Sequence, residues 1–141
     1  MRKLIFALFS LLLFAGCSND GIRYNNPNLP NYSFSINIDT NLPSYSGLKS
    51  PVNPIYIGQD NVGVSGIIVM KVSDTDFRAW EANCPNHPPS GCSRMSIKGV
   101  NAKCSCDDVE YSLFTGVGAG QYPLKPYAVE IIGNNVIRIY N

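Results

Sequence analysis

The sequence predicts an all-β domain of short antiparallel strands, arranged as a small sandwich or open barrel. Short segments of alternating or β-branched residues recur along the chain, turn residues separate them, and no window shows an amphipathic helical stripe of useful length. The 141 residues include 12 glycines and 10 prolines, which favours a fold with many tight turns.

The strand candidates follow one another along most of the chain. In "YSFSINID" the residues Phe34, Ile36 and Ile38 alternate with polar residues, as in a half-buried strand. A short echo, "NLPNYS" at 28–33 and "NLPSYS" at 41–46, brackets this segment and is too short to indicate a repeat architecture. The further candidates are "VNPIYIG", "NVGVSGIIVMKVS", "FRAWEA", "MSIKGVNAKC", "YAVEII" and "VIRIY".

Two of these segments predict hairpins. Lys98-Gly99 divides "MSIKGVNAKC" into two short strands and suits a tight turn. The "GNN" at 133–135 suits the turn of a final hairpin between "YAVEII" and "VIRIY".

The first residues predict export and lipid anchoring. "MRK" and the apolar stretch after it, too short for a comfortable membrane span, are typical of a secretory signal peptide. Leu13-Phe14-Ala15-Gly16-Cys17 resembles the lipobox of bacterial lipoproteins, in which the cysteine is lipidated and becomes the new N-terminus. The alternative is a thiol just beyond an ordinary cleavage site. By the same resemblance, Ser18 after the cysteine implies the outer membrane, with the lipid bilayer as partner of the acylated Cys17.

The chain therefore divides into three predicted segments. Residues 1–16 form the signal peptide, 17–31 a lipidated flexible tether rich in Asn, Pro, Gly and Ser, and 32–141 a single β domain. Removing Arg2 and Lys3 from the 11 basic residues leaves 9 against 10 acidic residues, so the mature chain is nearly neutral. We expect no nucleic-acid partner.

Four cysteines remain once Cys17 carries lipid, and they lie in one short region. Disulfides form and persist in exported proteins, so these residues hold either a metal or each other. They are Cys84, Cys92, Cys104 and Cys106.

"NCPNHPPSGC" at 83–92 and "KCSCDDVEYSLFTG" at 103–116 resemble the two loops of a Rieske domain. In that family one loop carries Cys-x-His and the other Cys-x-x-His within an all-β fold. The two cysteines bind one iron of a 2Fe-2S cluster that carries single electrons, and the two histidines bind the other iron. The resemblance implies Cys84 and Cys104 as ligands. Tyr111 falls at the aromatic position of the second loop, and Thr115-Gly116 at its Thr-Gly position.

The two remaining cysteines also have counterparts in the family. In the Rieske proteins of respiratory cytochrome bc complexes each loop holds an additional cysteine, and the two form a disulfide. The resemblance implies a Cys92–Cys106 disulfide, although Cys92 lies eight residues after Cys84 where the family usually has five. A crosslink is expected where two loops lack regular hydrogen bonding.

The chain departs from the family at the histidines. Asp107 stands at the second-loop histidine position and Asn86 at the first, with His87 one residue late. His87 reaches an iron if the loop bulges by one residue; otherwise it is a loop histidine with no ligand role. A carboxylate is a hard anion whereas imidazole is a neutral ligand. The adjacent carboxylates of Asp107 and Asp108 add negative charge to a cluster already bound by thiolates, so a cluster here would be harder to reduce and more easily lost.

Several functions remain open from the sequence. The leading hypothesis is a degenerate Rieske domain without enzymatic activity, whose 2Fe-2S site is lost or altered and whose loops are held by disulfides. In its sharper form, Cys84–Cys104 and Cys92–Cys106 disulfides replace the cluster. The second is an electron carrier with unusual ligation of a 2Fe-2S cluster. The third is a surface binding or assembly module, and a zinc site or all-cysteine cluster is a further metal alternative. The candidate ligands of the electron carrier are Cys84, His87, Cys104 and Asp107.

Overall fold

A computed structural model describes residues 25–141, and its all-β architecture confirms the predicted fold class. Residues 1–16, Cys17 and the expected tether up to residue 24 lie outside the described residues. The described strands are β1 (Ser35–Asp39), β2 (Ile55–Ile57), β3 (Ile67–Ser73), β4 (Asp76–Glu81), β5 (Ser96–Lys98), β6 (Asn101–Lys103), β7 (Glu110–Ser112), β8 (Pro126–Gly133) and β9 (Val136–Tyr140).

These strands form two antiparallel sheets. The larger has six strands in the order β1-β9-β8-β4-β3-β2, and the smaller has three in the order β5-β6-β7. The predicted hairpins are present: Lys98 pairs with Asn101 across the β5–β6 turn, and Gly133 pairs with Val136 across the β8–β9 turn.

Both faces of β3 are buried, which explains its continuous apolar sequence. Ile67 and Val69 point into one hydrophobic cluster, with Ile137 and Ile139 of β9. The intervening residues, Ile68 and Met70, point into a second cluster, with Trp80, Leu113 and both ligand-position cysteines, Cys84 and Cys104. Successive side chains of a strand alternate between faces, so one strand contributes to two cores and places the second core beneath the cysteine loops.

Two described elements were not among the predicted ones. Strand β7 is only three residues long, and a 3-10 helix occupies Pro43–Lys49, with a proline in its first turn and Leu48 buried. Among the described residues, no helix has the length and apolar character needed to cross a membrane.

Residues 26–31, which belong to the expected tether, contact the domain. Leu29 is buried, Asn26 Nδ2 donates to the Pro85 carbonyl at 2.7 Å, and Lys125 Nζ donates to Asn31 Oδ1 at 2.8 Å. The packed part of the chain therefore extends to about Asn26, and it reaches the first of the two cysteine-bearing loops.

Candidate functional site

The candidate site consists of two loops that approach each other at one end of the smaller sheet. The first cysteine loop, residues 83–94, follows β4 and is closed by an isolated bridge between Asn83 and Arg94. The second cysteine loop, residues 104–109, joins β6 to β7 and is closed by a hydrogen bond from Cys104 N to Val109 O at 2.9 Å.

Two disulfides join these loops. One connects Cys84 to Cys104, with 5.6 Å between the Cα atoms, and the other connects Cys92 to Cys106, with 5.1 Å between the Cα atoms. Both pairings are the ones that the leading hypothesis names. They differ in exposure, because Cys84 and Cys104 are fully buried whereas Cys92 is exposed and Cys106 half-buried.

A buried asparagine orders the first cysteine loop. Asn83 Nδ2 donates to the carbonyls of Cys84 at 2.9 Å and His87 at 3.0 Å. Its Oδ1 accepts from Ser93 Oγ at 2.7 Å and from Ser65 Oγ at 3.0 Å. Since the Cys84 amide also donates to the Ser93 carbonyl at 2.6 Å, the backbone on both sides of Cys84 is held in place.

The second cysteine loop turns through its two aspartates. Asp107 Oδ1 accepts from Val109 N at 3.1 Å, a local Asx-type contact that favours a turn. Asp108 has a φ of 60°, a left-handed conformation that Asp adopts more readily than most residues. Its carboxylate lies 2.8 Å from Lys103 Nζ, and the hydrogen bond and charge of Lys103 lower the pKa of Asp108.

The side chains of His87 and Asp107 contact each other across the two cysteine loops. His87 Nε2 lies 2.9 Å from Asp107 Oδ2, and both side chains are partly exposed. The potential ligand atoms of His87, Cys104 and Asp107 all lie within 4.8 Å of one another. Three of the four candidate metal ligands are thus brought together, and the fourth, Cys84, is bonded to Cys104.

Asn86, which stands where the resemblance expects a histidine, has a different set of partners. Its Nδ2 donates to Tyr111 Oη at 2.5 Å, and its Oδ1 accepts from Tyr122 N at 2.9 Å. Burial raises the pKa of Tyr111. Asn86 therefore connects the first cysteine loop to β7 and to the β7–β8 connection, residues 113–125. Both polar atoms of its side chain are engaged in these hydrogen bonds rather than in binding a metal.

The site residues do not fit a 2Fe-2S cluster in this arrangement. A cluster of this type binds thiolates, and the sulfurs of Cys84 and Cys104 are joined to each other. The two remaining candidate ligands, His87 and Asp107, satisfy each other through their mutual contact. The metal set Cys84, His87, Cys104 and Asp107 stays a prediction, and it requires a chain in which these cysteines are reduced.

Comparison with known proteins finds similarity to solved structures. No protein-family model and no curated protein matches the chain. A chain from a solved structure described as a complex of reduced oxygenase and oxidized ferredoxin in carbazole 1,9a-dioxygenase is similar to this one, with 19% sequence identity and a TM-score of 0.47. The similarity covers 77% of this chain and 92% of that chain.

The residues that sequence reasoning missed are polar and buried. Asn83 and Ser93 order the first cysteine loop, and Glu81, at the end of β4, lies fully buried directly before it. Glu81 Oε1 accepts from the amide of Asn83 at 2.9 Å. The sequence offers one indication of this network: the polar residues Glu81 and Asn83 lie between the apolar pair Ala79-Trp80 and Cys84.

Proposed function

We propose that this protein is a lipoprotein of the bacterial cell envelope, anchored in the outer membrane. It carries a Rieske-like domain that holds no cluster and has no enzymatic activity. Its two cysteine loops are held by disulfides where a Rieske domain holds iron. The observation that carries the proposal is the Cys84–Cys104 disulfide, because it joins the two residues that the resemblance assigns to a single iron. The domain then serves as a stable, disulfide-clamped platform at the membrane surface.

The surroundings of the disulfides support a cluster-free site. Asp107 and Asp108 place two carboxylates in the second cysteine loop, and neither is a neutral ligand like imidazole. Asp108 is engaged by Lys103 and Asp107 by His87. The loops are therefore closed by protein groups alone, through two disulfides, the Lys103–Asp108 ion pair and the His87–Asp107 contact.

The test is a measurement of iron and disulfides on one sample. The full-length chain is produced in a bacterium that assembles and exports iron–sulfur clusters, and a Rieske protein with both histidines, exported from the same cells, is the positive control. We expect colourless protein without iron, whose mass rises by two hydrogens for each disulfide upon reduction. Brown protein with stoichiometric iron and a paramagnetic signal after reduction would reject the proposal.

The lipid anchor is tested separately. Cells grown with an alkyne-labelled fatty acid should label the wild-type chain and not Cys17→Ser, because the predicted acceptor thiol is gone. Cys92→Ser is the matched control and should keep the label. Density-gradient fractions of the envelope then report whether the labelled protein accompanies the outer membrane, and a wild-type chain without label contradicts the anchor.

The alternative function is an electron carrier with unusual ligation. The observation that favours it is the proximity of the ligand atoms of His87, Cys104 and Asp107, all within 4.8 Å of one another. This function needs Cys84 and Cys104 as thiolates when the cluster is inserted. The iron measurement separates the two functions, because only the carrier gives coloured protein.

A further inference from the structure

The two disulfides of the site form an exposed and a buried pair. In the outer disulfide, Cys92 is exposed and Cys106 is half-buried; in the inner disulfide, Cys84 and Cys104 have no exposed surface. An external thiolate reacts with a disulfide only where it reaches a sulfur atom. Cys92, the exposed residue of the outer disulfide, is therefore where we expect an external thiolate to attack, and the inner disulfide is shielded from direct attack.

The half-buried sulfur of the outer disulfide lies beside the inner disulfide. The Sγ atoms of Cys84, Cys104 and Cys106 are all within 4.8 Å of one another. Cys92 is not part of this three-sulfur cluster among the described residues. If the outer disulfide opens at Cys92, the sulfur that is released is the one already placed next to the buried pair.

We propose that the two disulfides form a relay for thiol–disulfide exchange, in which an external dithiol reduces the outer disulfide and Cys106 passes the exchange to the inner one. This proposal rests on the cluster-free site proposed above. It adds an activity to the clamped platform: the domain acts as a stoichiometric disulfide donor to exported dithiols, with a protein or small-molecule dithiol as its reaction partner.

The first stage oxidises the external dithiol. One of its thiolates attacks Cys92 Sγ, so a mixed disulfide forms and the Cys92–Cys106 bond breaks with Cys106 leaving as a thiolate. The second thiol of the dithiol, once deprotonated, attacks the dithiol's own sulfur in the mixed disulfide and releases Cys92. The dithiol has lost two electrons and two protons. Cys92 and Cys106 have gained the two electrons, Cys92 has taken up one proton, and the second proton is in the solvent while Cys106 remains a thiolate.

The second stage is an isomerisation without net oxidation or reduction. Before it takes up a proton, the Cys106 thiolate attacks Cys84 Sγ, a Cys84–Cys106 bond forms, and the Cys84–Cys104 bond breaks with Cys104 leaving as a thiolate that takes up the proton. The product holds one disulfide, Cys84–Cys106, and two free thiols, at Cys92 and Cys104. Simple reduction of the outer disulfide instead leaves Cys84–Cys104 intact with free thiols at Cys92 and Cys106.

The local structure fits this order of events. The segment 88–92 of the first cysteine loop is exposed throughout, and Cys92 Sγ lies 3.5 Å from Ser90 Oγ at the surface. The neighbouring Ser93 is buried and anchored to Asn83, so the backbone around Cys84 stays in place as the outer bond opens. The reacting sulfur at 84 is thus presented on a fixed backbone.

The decisive experiment titrates the full-length, detergent-purified protein with one molar equivalent of dithiothreitol. Samples are quenched over time with an alkylating reagent, and the disulfides are mapped by mass spectrometry of peptides. The relay predicts a species with Cys84–Cys106 linked and with Cys92 and Cys104 alkylated. Retention of Cys84–Cys104 in every reduced molecule, at all times, would overturn it, and so would an outer disulfide that the reagent does not open.

A matched pair of variants isolates the role of Cys106. Cys92→Ser and Cys106→Ser both lack the outer disulfide, but only Cys92→Ser keeps a thiol at 106. We expect a mixture of Cys84–Cys104 and Cys84–Cys106 in Cys92→Ser, and loss of isomerisation in Cys106→Ser. Equal disulfide exchange in both variants contradicts the relay.

Even if neither variant folds, the titration of the wild-type protein tests the relay. Iron is measured on the same wild-type sample before the titration. Iron in that sample rejects the cluster-free function, whereas iron-free protein that never forms Cys84–Cys106 rejects the relay alone.

Discussion

Glu81 is a fully buried carboxylate at the end of β4, next to the first cysteine loop. Its two oxygens accept hydrogen bonds from the amides of Val64, Ser65 and Asn83, at 2.6, 2.9 and 2.9 Å, and from Tyr127 Oη at 2.6 Å. A buried carboxylate needs such donors to offset its desolvation. Glu81 thereby joins the segment before β3 to the first cysteine loop and to β8.

We expect Glu81→Gln to destabilise the folded protein by about 2 kcal/mol or more, because the amide nitrogen of glutamine faces donors and leaves them without an acceptor. Glu130→Gln is the matched control. Glu130 is an exposed carboxylate of β8 paired with Arg138, and its loss should cost less than about 1 kcal/mol. Urea unfolding under non-oxidising, thiol-free conditions gives both free energies, and equal losses would contradict the assigned role of Glu81.

The β7–β8 connection, residues 113–125, packs over the ring of Trp80. Trp80 Nε1 donates to the Leu113 carbonyl at 2.9 Å, and Gly116 lies directly on the ring. Gly116 has a φ of 74°, and a Cβ atom built there would lie 2.6 Å from Trp80 Cζ3 and 2.7 Å from Cη2. Contacts this short do not occur between unstrained atoms, so a side chain at 116 displaces either the connection or the indole ring.

Gly116→Ala should therefore destabilise the protein by about 1–3 kcal/mol beyond the cost of its backbone conformation. Gly99→Ala provides that backbone reference, because Gly99 has a φ of 60° and nothing within 4 Å of the added Cβ. Since Trp80 is the single tryptophan, its fluorescence reports the displacement. We expect an emission shift in Gly116→Ala alone, and the same spectrum and stability in both variants would refute the packing argument.

The predicted elements are those that alternate or that carry branched residues. Strand β1 was predicted from its alternation, and β3 from its branched run. Strand β7 has only three residues and directly follows the second cysteine loop. It is too short to show the alternation of apolar and polar residues that predicts a strand. The 3-10 helix at Pro43–Lys49 has a single buried residue, Leu48, too few apolar positions to give a helical stripe.

The cysteine pairs of the site were predictable from the sequence, whereas the hydrogen bonds that order its loops were not. The resemblance implied the Cys92–Cys106 pairing, and it placed Cys84 near Cys104 because the corresponding cysteines of that family bind one iron. Asn83 and Asn86 were missed as organising residues, since their partners include Ser65 and Tyr122, far along the chain. Hydrogen bonds between distant segments depend on the tertiary arrangement and leave no local pattern.

At the scale of the whole molecule, residues 26–31 pack across the domain and contact residues from distant parts of the sequence. Residues 26–31 cross from the first cysteine loop, where Asn26 bonds Pro85, to the buried Lys125 and on to Asn141, whose Nδ2 donates to Asn31 Oδ1 at 2.9 Å. Burial lowers the pKa of Lys125. This segment therefore links the site to the opposite end of the chain, and its packing contributes to the position of the first loop.

The two echoed motifs offer a matched test of where the packed domain begins. Leu29 of "NLPNYS" is 6% exposed, whereas Leu42 of "NLPSYS" is 50% exposed. If residues 26–31 belong to the folded domain, Leu29→Ala removes buried apolar surface and costs about 2 kcal/mol or more. Leu42→Ala removes surface that is half in water and should cost less than about 1 kcal/mol. Non-reducing urea unfolding of the two variants gives the comparison, and a Leu29→Ala variant as stable as Leu42→Ala would place this segment with the tether.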